Sequence, residues 1–489
     1  MSDVTITERL ASEAAEAERA KKVNWDKLDM KVQYNDGRAI SLPKDPAKMP
    51  LKIAISTLQR LQKDEETEIA VIEKIDAYPL DAAVAFVKAM QRLYGWASPV
   101  AIPGFFGPKP PVYMGIKVGK NDEDVVQCPI GGFMLPGVSK PIETGIYEGG
   151  KTFIIHGHIL QKDKQIVLEL ANETRRIVKA ESIYKGKAVR IIVDDDGNFS
   201  TDTPPEFMDT SAVSEGSLVF SEDIMSQINT NILVPIKDTA LCKKHNIPLK
   251  RGILLEGPYG TGKSLTAAMV AGVCEANGWT FILLNKVQGL RHALEFANRF
   301  KPAVVFAEDI DRVAMERDET MNDLINTIDG VVSKRSEIMT VLTTNHADKL
   351  NPVILRPGRL DAVISLKAPD QATVKKLIVH YAGRLLPTGS DLSKSAKELD
   401  GQIPASIREC VERAKLGMIG RGDNKLSDHD VFIAAQTMKN HLALLNKDKN
   451  VTTLEQTFAE SLRKVVNNGS GEKLVSIEKK VAEIHDNVV

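Results

Sequence analysis

The spacing of apolar residues changes character several times along the 489-residue chain. Ile6–Lys22 alternates Ala, Glu, Arg and Lys without a wide apolar stripe, the pattern of an exposed helix available to a partner or of a solvated leader. Asn35-Asp36-Gly37 signals a turn. Two helical stretches follow, Pro50–Gln62 and Leu80–Tyr94, the second with Ala, Val, Phe and Met three and four residues apart. Pro99, Pro103, Gly104, Gly107, Pro108, Pro110 and Pro111 then break any regular element and mark an internal boundary. From Val112 to Phe199 the pattern is that of strands. Val112–Val118, Thr152–Leu160, Gln165–Leu170 and Ala188–Val193 are short runs rich in Val, Ile and Tyr between Gly, Asn and Asp clusters. Thr201–Gly216, with Pro204-Pro205, is the expected linker to the second half.

Beyond the linker, apolar runs of buried-strand length recur at Ile253-Leu254-Leu255, Thr280–Leu284, Ala303–Ala307 and Met339–Thr344. Leu265–Val273, Leu290–Phe300 and Thr373–Leu385 read as helices. After Asn440, Val451–Val466 and Lys473–Val488 read as amphipathic helices joined by Asn467–Gly471, either oligomer contacts or surface helices.

Composition narrows the function classes. The chain is long enough for two or three domains, and 43% hydrophobic residues supports packed cores. With 64 basic against 65 acidic residues the net charge is -1, so no global field draws the chain to nucleic acid or an anionic membrane. Cys128, Cys242, Cys274 and Cys410 lie far apart without a C-x-x-C pair, which excludes the familiar zinc modules and fits buried thiols in a reducing compartment. Met1–Arg9 is polar and lacks the apolar stretch of a signal peptide. No uncharged apolar run approaches the ~18–20 residues of a membrane span. A cytoplasmic protein is expected.

The chemistry concentrates around Gly257–Ser264, Gly-Pro-Tyr-Gly-Thr-Gly-Lys-Ser, set between an apolar strand and a helix rich in Ala, Leu and Val. In that context G-x-x-x-x-G-K-[ST] means phosphate binding: the glycines let the backbone wrap an anion with its amides and the helix N-terminus. Lys263 then sits on the β- and γ-phosphates and the Ser264 hydroxyl on Mg²⁺. Glu308-Asp309-Ile310-Asp311 follows the strand Ala303–Ala307, where carboxylates beside a phosphate loop can hold the water shell of Mg²⁺ and polarise an attacking water; capping the next turn is the alternative. Asn345 ends another strand and can orient water near a γ-phosphate, or satisfy its own turn. Elsewhere, His156-Gly157-His158 puts two imidazoles on one strand face without a third ligand nearby, and Asp194–Asn198 reads as a hairpin turn rather than a calcium loop.

Taken in order, Gly257–Ser264, Pro302–Asp311, Thr344-Asn345 and the stretch Asn351-Pro352-Val353-Ile354-Leu355-Arg356-Pro357-Gly358-Arg359-Leu360-Asp361 resemble the AAA family of ATPases. Within it they are similar to the clade of the proteasomal regulatory ATPases, valosin-containing protein and FtsH. The resemblance covers Ser217 to Lys439, and Thr320–Gly330 is similar to the family's helix between the second and third motifs. It implies an α/β P-loop NTPase with a parallel sheet and a helical lid domain, preceded by a mixed α and β-rich N-terminal region. The expected division is 1–111 mostly helical, 112–216 a β-rich substrate or adaptor module, 217–368 the large ATPase domain, 369–445 the lid and 446–489 a helical tail.

The resemblance also implies roles. ATP and Mg²⁺ are the implied cofactors, with Gly257, Pro258, Tyr259, Gly260, Thr261, Gly262, Lys263, Ser264 and Leu265 around the nucleotide and Ser264 and Glu308 at the metal. Asp309, Glu308 and Asn345 serve hydrolysis, and Arg356 and Arg359 match the arginine fingers that act on ATP held by a neighbouring subunit. Asp223, Ile224, His380 and Ala405 match positions near the base and ribose. Gly401–Ile407 resembles the lid turn Gly-x-Ser-Gly-Ala-Asp-Ile, with Pro404 and Ser406 departing from it; Pro404 is compatible with a first helical turn.

Two departures bear on mechanism. The family's Asp-Glu falls on Glu308-Asp309, so the metal-side acid is the longer one; hydrolysis is expected to be retained. Threading members carry an aromatic, an apolar residue and Gly on the loop after the second strand, whereas Asn285-Lys286-Val287-Gln288-Gly289 is short and has no aromatic. Val287 and Gly289 are its candidates for that role, and threading is left open. No H-E-x-x-H follows the motor, and the end Asn487-Val488-Val489 lacks the penultimate tyrosine of proteasome-docking rings. The expectation is an ATP-driven homo-oligomeric ring, a hexamer, acting on a protein substrate through its N-terminal region. A nucleic-acid-linked loader and an ATP-gated scaffold with little turnover are the alternatives.

Overall fold

In the computed structural model the described residues are 30–33, 39–42, 51–95, 98–104, 107–147, 152–194, 204–211, 213, 215–310, 336–347, 350 and 360–439. The Ile6–Lys22 helix, the turn at Asn35-Asp36-Gly37, most of the Asp194–Asn198 turn, the Thr320–Gly330 helix, Arg356, Arg359 and the C-terminal helices lie outside them. The chain divides into two compact units, Met1–Lys187 with Phe199–Met208, and Ala188–Asn198 with Asp209–Val489.

The first unit opens with a short antiparallel pair, β1 (Met30–Gln33) and β2 (Ala39–Leu42), then α1 (Leu51–Glu65), β3 (Glu68–Ile75), α2 (Pro79–Tyr94) and β4 (Ser98–Val100). β5 (Val112–Lys117) pairs only with β6 (Val125–Ile130) among the described strands, and β7 (Gly132–Met134), β8 (Ile142–Tyr147), β9 (Thr152–Leu160) and α3 (Lys164–Glu181) complete the unit's main elements. The main sheet is antiparallel in the order β3-β9-β8-β7-β4. Its strands come from both sides of residue 111, so the expected boundary between a helical region and a β module runs through one sheet.

Phe86 of α2 anchors the core, its ring 5.3 Å from Phe133 and 5.8 Å from Phe153 between centroids. Each such buried ring contributes roughly 1.5–3 kcal/mol. Asp81, in the first turn of α2, is buried and accepts a hydrogen bond from the Ile183 amide at 2.9 Å. Desolvation pushes its carboxyl up to about 6, against the lowering effect of that bond.

Gln165–Leu170 is helical, not a strand. Val167, Leu170, Ala171, Thr174 and Ile177 are the buried residues of α3, at i, i+3, i+4, i+7 and i+10, a helical stripe that a six-residue window is too short to reveal. Ala188–Ile191 is a strand as expected, β10, but it belongs to the second unit, pairing in parallel with a strand some ninety residues later. The two-residue strand β11 (Glu206–Phe207) returns to the first unit, where Phe207 stacks on Tyr184 at 5.5 Å.

The second unit begins its helices with α4 (Glu222–Ile228), α5 (Val234–Lys237) and α6 (Thr239–Lys244). β12 (Arg251–Glu256), α7 (Lys263–Ala276), β13 (Thr280–Leu284), α8 (Leu290–Arg299), β14 (Ala303–Ala307), β15 (Ile338–Thr344) and β16 (Ala362–Ser365) then alternate. The strands lie parallel in the order β10-β13-β14-β15-β12-β16. Every residue of β14 and β15 is buried, which is why these strands read as continuous apolar runs rather than alternating ones. Asp361 pins the start of β16 to β12: its carboxylate accepts from the Gly252 amide at 2.9 Å and its own amide donates to the Gly252 carbonyl at 2.7 Å.

A helical lid follows, α9 (Gln371–Ala382), α10 (Ser393–Glu398), α11 (Pro404–Gly420) and α12 (residues 428–439). Asp370 caps α9 by accepting from the Thr373 amide at 2.8 Å, and Val374, Ile378, Ile407, Val411 and Val431 form the centre of its core. All four cysteines are free and buried, and burial pushes the thiols of Cys128 and Cys410 up to about 12. No helix among the described residues is long and apolar enough to cross a membrane.

Candidate active site

The carboxyl ends of β14, β15 and β12, three adjacent parallel strands, deliver Glu308-Asp309, Asn345 and Gly257–Gly262 to one side of the sheet. In open parallel sheets that side is where ligands bind. The loop after β12 is glycine-rich for reasons visible in the packing. Gly260 has φ 79, and a side chain there would come within 2.7 Å of the Ala405 side chain; at Gly257 it would come within 2.5 Å of the Leu366 carbonyl oxygen. The lid touches the loop directly, the Ala405 amide donating to the Gly260 carbonyl at 3.2 Å. Thr261 closes the turn by donating its hydroxyl to the Pro258 carbonyl at 2.8 Å.

Lys263 opens α7 and is only 8% exposed. Its ammonium donates to the Gly257 carbonyl at 2.6 Å, the Pro258 carbonyl at 2.9 Å and the Asn345 Oδ1 at 2.8 Å, with the exposed Tyr259 ring 5.8 Å away. These acceptors offset the cost of withdrawing a cation from water. The other end of the Asn345 amide donates to Asp309 Oδ1 at 2.9 Å. One carboxamide therefore links an ammonium to a carboxylate, and the two charges together fix its orientation. Beside them the Ser264 hydroxyl donates to Glu308 Oε1 at 2.5 Å.

The donor set fits a nucleotide with its metal. A glycine-rich loop, the N-terminus of α7 and the Lys263 ammonium are the groups that suit phosphates, and the Ser264 hydroxyl paired with the Glu308 carboxylate offers two hard oxygens of the kind Mg²⁺ takes. Chemically, the arrangement can neutralise a triphosphate on one side and hold a basic carboxylate on the other, the requirements of phosphoryl transfer to water.

The remaining expected residues sit as follows. Leu265 is 39% exposed at the start of α7. Ile224 is buried, whereas Asp223 is exposed and accepts from Gln227 of its own helix at 3.0 Å. His380 is exposed near the end of α9, edge-on to Tyr381. Among the described residues no hydrogen bond joins Asp223 or His380 to the phosphate loop.

Val287 and Gly289, the two candidates on the loop after β13, are structural. Val287 is 4% exposed, and a side chain at Gly289 would meet Val193 within 2.6 Å. The segment after β10 packs on this loop, with the Val193 amide donating to Asn285 Oδ1 at 3.3 Å. Neither Val287 nor Gly289 presents a surface to grip a polypeptide.

Sequence reasoning did not single out Phe220, whose ring lies where a side chain at Gly262 would come within 3.1 Å, or Thr343, whose hydroxyl oxygen accepts from the Asp309 amide at 3.0 Å. A polar residue in a wholly buried strand was the available signal for Thr343.

Comparison with known proteins agrees with this geometry. The family profile described as ATPase family associated with various cellular activities (AAA) matches residues 253–368. Over 323 residues the chain is 28% identical to a proteasome-activating nucleotidase of Aeropyrum pernix, covering 56% of this chain and 78% of that protein. It is 29% identical over 259 residues to the protein of the same name from Methanosphaerula palustris, covering 49% and 62%. Over 233 residues it is 30% identical to the ATP-dependent zinc metalloprotease FtsH of Thermus thermophilus, covering 42% of this chain and 37% of that one.

Proposed function

The chain belongs to the AAA family of ATPases, in the clade of the proteasome-activating nucleotidases and FtsH, and is an ATPase; from that premise we propose that it works as a homo-oligomeric ring, a hexamer, that remodels or disassembles a protein substrate recruited through residues 1–216. The observation that carries the reading is the connected set Lys263, Asn345 and Asp309 beside Ser264 and Glu308. Two relatives are named as proteasome activators and one as an ATP-dependent protease, names that support a protein substrate.

In this reading Lys263 exchanges its carbonyl acceptors for phosphate oxygens, Asn345 orients the attacking water, and Asp309 accepts that water's proton as the γ-phosphoryl group leaves ADP. Mg²⁺, held by Ser264 and the Glu308 side, supplies charge neutralisation when bound. Arg356 and Arg359 act on the ATP of the neighbouring copy. Arginines supplied in trans are worth about 10³- to 10⁵-fold in phosphoryl transfer, or about 4 to 7 kcal/mol of barrier. The buried Val287 and Gly289 favour force applied to a folded or assembled substrate over an aromatic grip on a threaded chain.

The test is a trap. Asp309→Asn held in ATP should bind nucleotide, release no phosphate and retain a protein client on pull-down. Phosphate release at the parental rate would remove Asp309 from its role, and a client retained equally without ATP would remove the motor cycle.

A further inference from the structure

Asp309 has φ 53, in the left-handed region that side chains rarely adopt. Its position is unusual because of where the strand pairing stops. The β14–β15 ladder runs to Ala307 opposite Leu342, and Thr343 is the next residue along β15. Past that point Thr343 takes over with two different groups. Its hydroxyl oxygen accepts from the Asp309 amide at 3.0 Å, and its carbonyl accepts from the Ile310 amide at 2.9 Å. The carboxylate of the same Asp309 receives the Asn345 amide at 2.9 Å. Asp309 is thus held by its backbone from one residue of β15 and by its side chain from the position two residues on.

Thr343 is 1% exposed, so it does not reach a nucleotide or water in the site. Hydrophobic burial alone would be served by valine, which has the same shape without the hydroxyl. The hydroxyl is explained by the amide it receives, since an amide turned out of the ladder needs an acceptor.

We propose that Thr343 is a positioning residue for ATP hydrolysis: its hydroxyl oxygen and carbonyl lock the left-handed turn at Asp309 and so aim the carboxylate at the attacking water. This rests on the reading of Asp309 as the water-side acid. Thr343 works through Asp309 and has no direct part in binding nucleotide. Removing its hydroxyl frees the turn, and turnover falls with the fraction of sites in the competent geometry.

The experiment compares Thr343→Val, Thr343→Ala and Thr343→Ser in the full chain by steady-state phosphate release, ATP binding and hydrogen exchange at the Asp309 amide. Loss of one buried hydrogen bond predicts about a 10- to 100-fold fall in kcat for Val and Ala, with ATP affinity changed less than about threefold. Thr343→Ser should rescue kcat to within about threefold of the parent. The Asp309 amide should exchange at least about tenfold faster in Val and Ala than in Ser or the parent. Parental kcat in Val, equal impairment in Ser and Val, or unchanged exchange would overturn the proposal. A parental chain that releases no phosphate would refute the role of Asp309, while the exchange comparison would still decide whether Thr343 holds the turn.

Discussion

Replacing Asn345 with Ala removes one amide that serves two charged groups, accepting from Lys263 at 2.8 Å and donating to Asp309 at 2.9 Å. The losses should fall unequally on binding and turnover. Before nucleotide binds, Lys263 still has the Gly257 and Pro258 carbonyls, which it gives up for phosphate oxygens in parent and variant alike. The phosphate loop itself is untouched, so ATP affinity should change by less than about threefold. Asp309 loses the donor that orients its carboxylate. A hydrogen bond to a charged group is worth about 1.5–3 kcal/mol, and if all of it acts on the barrier, kcat falls about 10- to 150-fold. Asn345→Asp sharpens the test. It keeps the shape but sets a second carboxylate against Asp309, and two like charges about 4 Å apart repel by about 4 kcal/mol at an effective dielectric of about 20. The Lys263 ammonium beside position 345 offsets part of that repulsion, and kcat should still fall at least as far as in Asn345→Ala because the donor to Asp309 is gone. Phosphate release by both variants, with nucleotide affinity measured separately, reads both effects. If Asn345→Ala kept kcat within about twofold, or lost affinity and kcat by equal factors, the relay would not operate in catalysis.

Two further predictions concern stability. Asp81 titrates at about 6 in the folded first unit against 3.8 ordinarily, because desolvation disfavours its charge. Its protonated form is the one the fold prefers, so stability is fully present below about pH 4 and falls as pH rises through about 6, by about 3 kcal/mol in all, roughly half of it between pH 5 and 7.5. Urea unfolding of the full chain, followed through the buried Cys128 thiol of the same unit, should show this slope, and Asp81→Asn should flatten it; an equal slope in both would refute the assignment. Val287→Ala should destabilise the second unit by about 1–3 kcal/mol, measured by its urea midpoint, because it leaves a void in a packed site. A Val287 that gripped substrate would instead lose remodelling at unchanged stability.

How much of this was legible in the sequence depended on whether the signal was local. Gly257–Ser264 announced itself because a phosphate loop needs its glycines, lysine and hydroxyl at fixed offsets, and β14 and β15 because parallel strands buried on both faces are continuously apolar. The failures were of two kinds. In α3 a six-residue apolar stretch matched strand and helix alike, and Thr174 and Ile177 of the deciding stripe lay beyond it. For β10 the strand itself was evident but its partner was not, since pairing with β13 is a contact between residues some ninety positions apart that no local pattern encodes. β3, carrying Glu68, Glu73 and Lys74, was missed because its charged residues masked the alternation that buries Val71 and Ile75. The roles of Gly289 and Thr343 were hidden for the same nonlocal reason: Val193 and Asp309, which they meet, lie just past the ends of other strands.

The central claim is that ATP bound by one copy is cleaved only when the adjoining copy lends Arg356 and Arg359. Mixing two inactive variants tests it most directly: Asp309→Asn, which keeps the arginines, and Arg359→Ala, which keeps the acid. Each alone should release no phosphate, and equal mixing should restore hydrolysis at about one quarter of subunit boundaries, those pairing an intact acid with an intact arginine. Mixed rings as inactive as their parents, or Arg359→Ala hydrolysing ATP at the parental rate by itself, would contradict it.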